Sequence, residues 1–226
     1  LQPNSNLLDY FTLKEIAGKE IDVMDIGPCS IPTGEFLVAD PLVYLVSKYE
    51  KEYFQKIPTG EFRTEVCVVK ATDGDCDRYA AVRLKFNDNE VSYFEEAMKG
   101  TEDLENINEG DFFGFNVDAG LACICELYCE FDKKWCDENP DGNTYDDYFA
   151  DLFKKSYEDN PKYQRDGGDW INWTIPGTDY HLPMFQSGFG DGAYPVYLAY
   201  DKDGNVCQLI VELIDIELAY SDIDED

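Results

Sequence analysis

The stretch EFRTEVCVVKATDGDCDRYAAVRLKF, Glu61–Phe86, has the pattern of a β-hairpin. Alternate positions from Phe62 to Val68 share one face, and the second half alternates in the same way from Ala80 to Phe86. Because side chains of a strand point alternately to its two sides, each half is typical of a strand with one buried face. The Asp-Gly pair between the halves favours a tight turn. The stretch therefore predicts two adjacent, half-buried antiparallel strands.

Strand signals recur along the chain, whereas helical features are confined to a few segments. Further candidate strands, in chain order, are EIDVMDI, GEFLVAD, FFGFNVD, LACICEL, AYPVYLAYD and NVCQLIVELIDIEL. Candidate helices are LLDYFTLKEIA, the residues after Asp40-Pro41, NEVSYFEEAMKG up to Gly100, and YDDYFADLFKKSYEDN behind a cap at Asn143-Thr144. The pattern predicts an α+β fold: a β-rich single domain, with two packed antiparallel sheets and a few flanking helices.

The predicted domain comprises residues 1–226, and residues 130–169 are expected to form a surface insertion that carries one helix.

The hexapeptide IPTGEF occurs twice, at Ile31–Phe36 and at Ile57–Phe62. In each copy Pro restricts φ and Thr-Gly favours a turn, so the motif is expected to lead the chain into a strand. Duplication of a structural unit remains the alternative explanation.

The composition is typical of a globular protein with a strong negative charge. Of the 226 residues, 44% are hydrophobic and 15% are aromatic, which argues against a disordered chain. The 48 acidic and 18 basic residues give a net charge of −30, which disfavours binding to nucleic acid or to an anionic membrane surface. No apolar run reaches the roughly 18–20 residues that span a bilayer. Solubility, divalent-cation binding and a surface for a basic partner all stay open as explanations of the acidity.

The cysteines are predicted to be reduced, because a chain of this size can build a core without disulfides. They are Cys29, Cys67, Cys76, Cys123, Cys125, Cys129, Cys136 and Cys207. Cys123 and Cys125 alternate along an apparent strand and would share one face, which favours buried thiols over a zinc site.

The segment SGFGDGAYPVY, Ser187–Tyr197, contains the best candidate site. A strand pattern follows its glycines and no Lys stands in the phosphate-binding position, so a phosphate loop is disfavoured. Ser187, Asp191 and Tyr194 are instead predicted to line a pocket together with Asp118, which ends the candidate strand FFGFNVD. If Asp118 and Asp191 converge, they could hold a metal ion or act as a general acid and base. The alternative, two aspartates that only shape turns, stays open.

Other motifs are weaker. DKDGNVCQLIVE, 201–212, resembles a calcium-binding loop, but Val206 occupies the position that requires glycine, so a hairpin turn is favoured. DGDCD, 73–77, is a weaker calcium candidate. His181 is the only histidine, and no nucleophile motif accompanies it. The sequence therefore predicts no cofactor and no defined metal-ligand set.

The strings VADPL (Val38–Leu42), NVDAGLAC (Asn116–Cys123) and SGFGDGAYPVYLAYDKDGNVC (Ser187–Cys207) resemble the bacterial family DUF4241, whose function is uncharacterised. The similarity extends from about Ile21 to Leu218. The resemblance implies a bacterial origin and a mostly β fold, and it assigns no catalytic residue. The expected location is the bacterial cytoplasm, unless a leader was removed before Leu1.

Three functional hypotheses follow, and whether the protein is an enzyme stays open, with a binding function favoured. The first is a non-enzymatic protein whose acidic surface engages a basic protein, as toxin-neutralising immunity proteins do. Aromatic residues among the acids of KKWCDENPDGNTYDDYF, Lys133–Phe149, are expected to be exposed and to support it. The second is a carboxylate- or metal-dependent hydrolase that uses Asp118 and Asp191. The third is a calcium-stabilised binding module. The sequence does not determine the oligomeric state.

Overall fold

The computed structural model describes residues 1–43, 51–72, 74–126 and 130–221. Its strands are β1 (Glu15–Ile16), β2 (Lys19–Ile31), β3 (Leu37–Ala39), β4 (Gly60–Val69), β5 (Arg78–Lys85), β6 (Tyr93–Glu96), β7 (Phe115–Val117), β8 (Leu121–Cys125), β9 (Trp170–Thr174), β10 (His181–Gln186), β11 (Gly192–Tyr194), β12 (Val196–Tyr200) and β13 (Val206–Glu212). Its helices are a 3-10 turn (Asp9–Phe11), α1 (Glu130–Glu138), a π-helical turn (Tyr145–Phe149) that continues into α2 (Ala150–Asp159), and α3 (Ile216–Tyr220).

A seven-stranded antiparallel sheet is built around the predicted hairpin. Its order is β1-β2-β4-β5-β13-β12-β6. Strands β4 and β5 pair as predicted, with Val66 opposite Val82, and β12 and β13 form the second predicted hairpin, with Leu198 opposite Leu209. The prediction of half-buried strands is wrong for β5, where even Arg83 is only 9% exposed. An apolar cluster lies on the outer face of this sheet. It includes residues of the N-terminus and of α3, and these residues cover β5 on that face.

A four-stranded sheet, in the order β3-β8-β10-β9, packs on the inner face of the larger one. The main core contains alternate residues of both sheets, such as Val66 and Val82 from one and Ile124 and Phe185 from the other. The opposite face of the smaller sheet packs against α2 through Phe153. Strands β7 and β11 form a separate two-stranded ladder. The predicted fold class, with two packed antiparallel sheets and a few helices, is confirmed.

The two IPTGEF copies lie side by side. The first copy turns from β2 towards β3 and the second leads into β4, as predicted. Ile31 of the first copy pairs with Gly60 of the second, and the Ile57 amide donates to the Gly34 carbonyl at 3.0 Å. Gly34 has φ +88°, and a Cβ there would lie 2.6 Å from the Ile57 carbonyl oxygen, so the close approach requires glycine.

The helix predictions have mixed outcomes. Asn143 caps the helix that follows it, because its Oδ1 accepts from the amides of Tyr145 and Asp146 at 3.0 and 3.2 Å. The helix predicted in NEVSYFEEAMKG is wrong: Tyr93–Glu96 is the edge strand β6, paired with β12. The N-terminal helix shortens to the 3-10 turn. The helix predicted after Asp40-Pro41 falls largely on residues 44–50, outside the described ranges.

Residues 130–169 contain two helical regions, α1 and the continuous π-helical turn with α2, instead of the single helix predicted. Phe149 and Phe153 of the second region are 3% and 1% exposed, so this part of the segment belongs to a core. Within the described ranges, no helix combines the length and apolar character needed to cross a bilayer.

Candidate functional site

The ladder of β7 and β11 brings the two predicted aspartates together. Gly192 pairs with Val117, and the antiparallel register therefore places Asp191 opposite Asp118, one position beyond the ladder. The Asp191 Oδ1 accepts a hydrogen bond from the Gly120 amide at 3.1 Å. Both aspartates are exposed. The backbones of the two aspartates therefore lie on neighbouring strands, and the Asp191 carboxylate helps to fix the turn between β7 and β8.

Ser187 and Tyr194 hold the glycine loop between β10 and β11. Both hydroxyls donate to the Gly190 carbonyl, at 2.8 Å from Ser187 and 2.6 Å from Tyr194. The two residues are only 1% and 8% exposed, and burial raises the pKa of Tyr194. These hydroxyls therefore contribute to the conformation of the loop on which Asp191 stands.

Asp40, predicted from the sequence only as the start of a helix, binds the turn that follows β7. Its carboxylate is fully buried. Its Oδ2 accepts from the amides of Asp118 and Ala119 at 3.0 and 2.7 Å, and its Oδ1 accepts from the Leu42 amide at 2.9 Å. Three hydrogen bonds to one carboxylate offset the cost of its burial and fix the position of Asp118.

A cleft of about 490 Å³ opens beside this turn. Its lining includes Leu42, Ala119, Gly120, Tyr145, Phe153, Arg165, Asp169 and Gln186. The guanidinium of Arg165 is bound to the buried Asp169, with Nε and Nη2 at 2.9 and 2.7 Å from Oδ1. The lining contains Ala119 and Gln186, the chain neighbours of Asp118 and Ser187, but none of the four predicted pocket residues. In the described ranges, no group of three or more metal-ligating side chains is assembled.

The remaining motifs act in the fold. The Asp201 carboxylate accepts from the amides of Asp203 and Asn205, both at 2.9 Å, and from the Asn89 side chain at 2.8 Å, as expected for a hairpin turn. Cys123 and Cys125 are buried on the face of β8 that packs against α2, as predicted. Asp73 of the weaker calcium candidate and Cys129 lie outside the described ranges.

A second candidate site is a surface loop, residues 101–112, which we name the acidic loop. Its sequence, TEDLENINEGDF, contains five carboxylates and no Lys or Arg. Leu104 and Phe112 are 59% and 38% exposed within it. Phe54, 58% exposed, borders its start: a Cβ at Gly100 would lie 3.7 Å from the Phe54 ring. The loop therefore presents apolar side chains among negative charges.

Local hydrogen bonds determine both the shape and the charge of the acidic loop. Asp103 accepts from Asn106 and from the Glu105 amide, and Asp111 accepts from the amide and side chain of Asn108. These bonds lower the pKa of both aspartates, so their carboxylates stay ionised to a lower pH than those of ordinary aspartates.

The acidic loop is anchored at a buried glutamate. Glu96, at the end of β6, is fully buried, and its Oε1 accepts from the amides of Phe113 and Gly114 at 2.7 and 3.0 Å. The amide of Met98, before the loop, donates to the buried Gln55 at 3.0 Å. Both ends of the loop are thus held by the scaffold. No sequence motif singles out this loop as a site. Exposed aromatic residues are expected from the sequence in Lys133–Phe149 instead, where Tyr145 and Tyr148 are partly buried against the core.

These features define a mostly β protein with two packed antiparallel sheets, a glycine loop beside a cleft and an anchored acidic loop. The family model described as Protein of unknown function (DUF4241) matches residues 29–211, so the chain belongs to that family, as the sequence resemblance predicts. The match runs from within β2 to the end of β13, so the N-terminal residues and α3 lie outside it. No match was found among curated proteins or solved structures.

Proposed function

We propose that this protein binds a basic protein partner through the acidic loop and that binding, rather than catalysis, is its function. The observation that carries the proposal is the combination of five carboxylates, no cation and two exposed apolar side chains in residues 101–112. Protein interfaces commonly have an apolar centre inside a polar rim. Leu104, Phe112 and Phe54 would form the centre, and the carboxylates would form the rim.

Electrostatics supports the same assignment. The protein carries a net charge of −30, so a cationic surface is attracted to it from any direction. Complementary charges raise the association rate and select against acidic partners. An anchored loop also loses less conformational entropy on binding than a disordered one. Immunity proteins that neutralise basic toxins in the bacterial cytoplasm would need this combination.

The experiment compares two charge-reversal variants of the whole chain. Glu105→Lys/Glu109→Lys changes exposed acids of the loop for which the structure gives no hydrogen bond to their side chains. Glu158→Lys/Asp166→Lys makes the same change in charge on α2 and the segment after it. Immobilised wild type and both variants are incubated with bacterial lysate, and retained proteins are eluted with salt and identified.

We expect the wild type and the α2 variant to retain a protein with an isoelectric point above about 9, and the loop variant to lose it. Equal loss in both variants would assign the effect to net charge and contradict a specific surface. Retention by the loop variant, or recovery of no basic protein by the wild type, would contradict the proposal itself.

The second candidate function is a carboxylate- or metal-dependent hydrolase, and the register that sets Asp118 opposite Asp191 favours it. A hard divalent ion requires more oxygen ligands than these two carboxylates, and a substrate or water would complete them. The test is the melting temperature with millimolar Mg²⁺, Mn²⁺ or Ca²⁺, in the wild type and in Asp118→Asn/Asp191→Asn. A metal-induced rise that the double variant lacks would support this candidate, because ligands of the native state stabilise it.

The same titration tests the calcium-stabilised binding module. A calcium-induced rise in melting temperature that persists in Asp118→Asn/Asp191→Asn but disappears in Asp201→Asn would assign the ion to the hairpin turn between β12 and β13. No rise with any of the three ions would contradict both metal-dependent alternatives.

A further inference from the structure

The N-terminal segment, residues 1–13, lies across the outer face of the seven-stranded sheet. Leu7 and Tyr10 are 0% and 1% exposed there. The Tyr10 hydroxyl donates to the Ile214 carbonyl at 3.2 Å and accepts from the Ile216 amide at 2.9 Å. The segment is thus docked on the chain between β13 and α3.

Further contacts extend this docking along the sheet. The Ser5 hydroxyl donates to the Asp215 Oδ1 at 2.9 Å. The Phe11 ring lies 4.2 Å from the Arg83 guanidinium, a cation–π contact with β5. Because the segment has little regular structure of its own, its position depends on these contacts with the sheet.

A carboxylate oxygen that has no hydrogen-bond partner among the described residues lies on the face that the segment covers. Glu212, the last residue of β13, is 7% exposed, and among the described residues its Oε1 has no partner. Burial raises the pKa of Glu212 to about 7, and the charge of Asp215 adds to the rise. A buried carboxylate without a partner is tolerated in its protonated form and is costly once ionised.

Among the described residues, the charged groups around Glu212 offer it no cation. On β5, Arg83 is committed to Glu65 through Nε and Nη2 at 2.9 and 2.6 Å, and to Gln208 at 3.3 Å. On β6, the buried Glu96 is a further acid near Tyr197 of β12. Tyr10 of the N-terminal segment and Asp215 before α3 also face it. Ionisation of Glu212 therefore adds an uncompensated negative charge beneath the segment.

We propose that Glu212 makes the docking of the N-terminal segment depend on pH: the segment is held against the sheet while Glu212 carries its proton and is released when Glu212 is ionised. The direction follows from linkage. The pKa of Glu212 rises from 4.5 to about 7 on folding, so its contribution to stability is fully present below about pH 4.5 and is lost as pH rises through about 7. The inference is independent of the proposed binding function.

Amide hydrogen exchange of the whole chain tests the proposal at pH 5.5, 7 and 8.5, with each rate expressed as a protection factor. The reporters are the amides of Asp9, Phe11 and Leu13, which donate to carbonyls within the segment. We expect their protection to fall at least about tenfold between pH 5.5 and 8.5, while amides of β13 stay protected. Equal loss in β13 would assign the effect to global unfolding and overturn the proposal.

Three variants isolate the group that titrates. Glu212→Gln keeps the shape and removes the charge, so the segment should stay protected at all three pH values. Glu217→Gln, an exposed acid in α3, is the matched control and should behave like the wild type. Asp215→Asn can still cap α3 but removes the neighbouring charge, so the midpoint should move to lower pH. Wild-type pH dependence in Glu212→Gln, or an unmoved midpoint in Asp215→Asn, would overturn the assignment.

Discussion

Strands β2 and β4 carry many acidic side chains, and so does the acidic loop. The two regions differ in the partners of these carboxylates. On the strands, cations accompany the acids: Glu20 pairs with Lys70, Asp25 with Arg63, and Glu65 with Arg83. Of the ion pairs among the described residues, none includes a carboxylate of the acidic loop. Three of the loop carboxylates, those of Glu102, Asp103 and Asp111, instead accept hydrogen bonds from neutral amides.

The difference separates charge that belongs to the fold from charge that is available to a partner. On the sheet, each cation lowers the electrostatic cost of its neighbouring acid, and Arg83 also fixes buried polar groups. In the loop, hydrogen bonds from neutral amides lower the pKa of the aspartates and leave their negative charge in place. We infer that substitutions at the nearly buried pair of Arg83 and Glu65 change stability, whereas substitutions at the exposed loop acids change binding.

The largest effect is expected for Arg83→Ala. The substitution leaves Glu65 and Gln208 without their shared partner in a nearly buried site, so the free energy of unfolding should fall by about 3 kcal/mol. Arg63→Ala is the matched control: that pair with Asp25 is exposed, and the loss should stay below about 0.5 kcal/mol. Urea unfolding measures both. Similar losses in the two variants would remove the distinction between buried and exposed pairs.

A smaller effect is expected for Glu96→Ala, which removes the anchor of the acidic loop. The amides of Phe113 and Gly114 lose their acceptor, so the free energy of unfolding should fall by about 2 kcal/mol. Hydrogen exchange should accelerate in residues 101–114 and stay unchanged in β4 and β5. If the strands exchange faster and the loop does not, Glu96 supports the sheet rather than the loop.

Tyr163→Phe tests the strand surface through pH. The Tyr163 hydroxyl donates to Asp22 Oδ2 at 2.7 Å, and this bond is the largest cause that lowers the pKa of Asp22 to about 2. Because the folded pKa is below the ordinary value of 3.8, the stabilisation is present above about pH 4 and is lost as pH falls through about 2. The variant should lose about 1 kcal/mol at pH 6 and almost nothing at pH 2. An equal loss at both pH values would exclude Asp22 as the cause.

The smallest effect on stability is expected for Glu105→Gln/Glu109→Gln in the acidic loop. Neither side chain is needed for the hydrogen bonds that shape the loop, so the free energy of unfolding should change by less than about 0.5 kcal/mol. The association rate with the captured basic partner should nevertheless fall, and more so at low salt. A destabilised variant would mean that these charges belong to the fold.

Local patterns in the sequence predict much of the sheet. Alternation and Asp-Gly turns predict both hairpins, and the Asn143 cap predicts the helix after it. The segment 90–98 misleads because Val91, Phe94 and Met98 have helical spacing, whereas its true partner, β12, lies about a hundred residues further along the chain. A short amphipathic segment is compatible with either structure until such pairing is known.

The candidate sites depend on long-range contacts and could be predicted only in part. Asp118 and Asp191 were singled out, but their opposition follows from a three-residue ladder whose register no local signal specifies. Asp40 and Glu96 resemble ordinary surface acids in the sequence and become buried anchors only when distant amides reach them. The net negative charge follows directly from the sequence. Which acids form ion pairs depends on where the fold places the cations.

The most direct test of the central claim is the footprint of the captured basic partner, measured by amide hydrogen exchange on the free and bound chain. We expect the amides of Phe54 and residues 101–112 to gain protection from exchange on binding, and those of β2 and β4 to gain none. Protection centred on the ion-paired strands, or on the cleft beside Gly120, with the acidic loop unchanged, would contradict it.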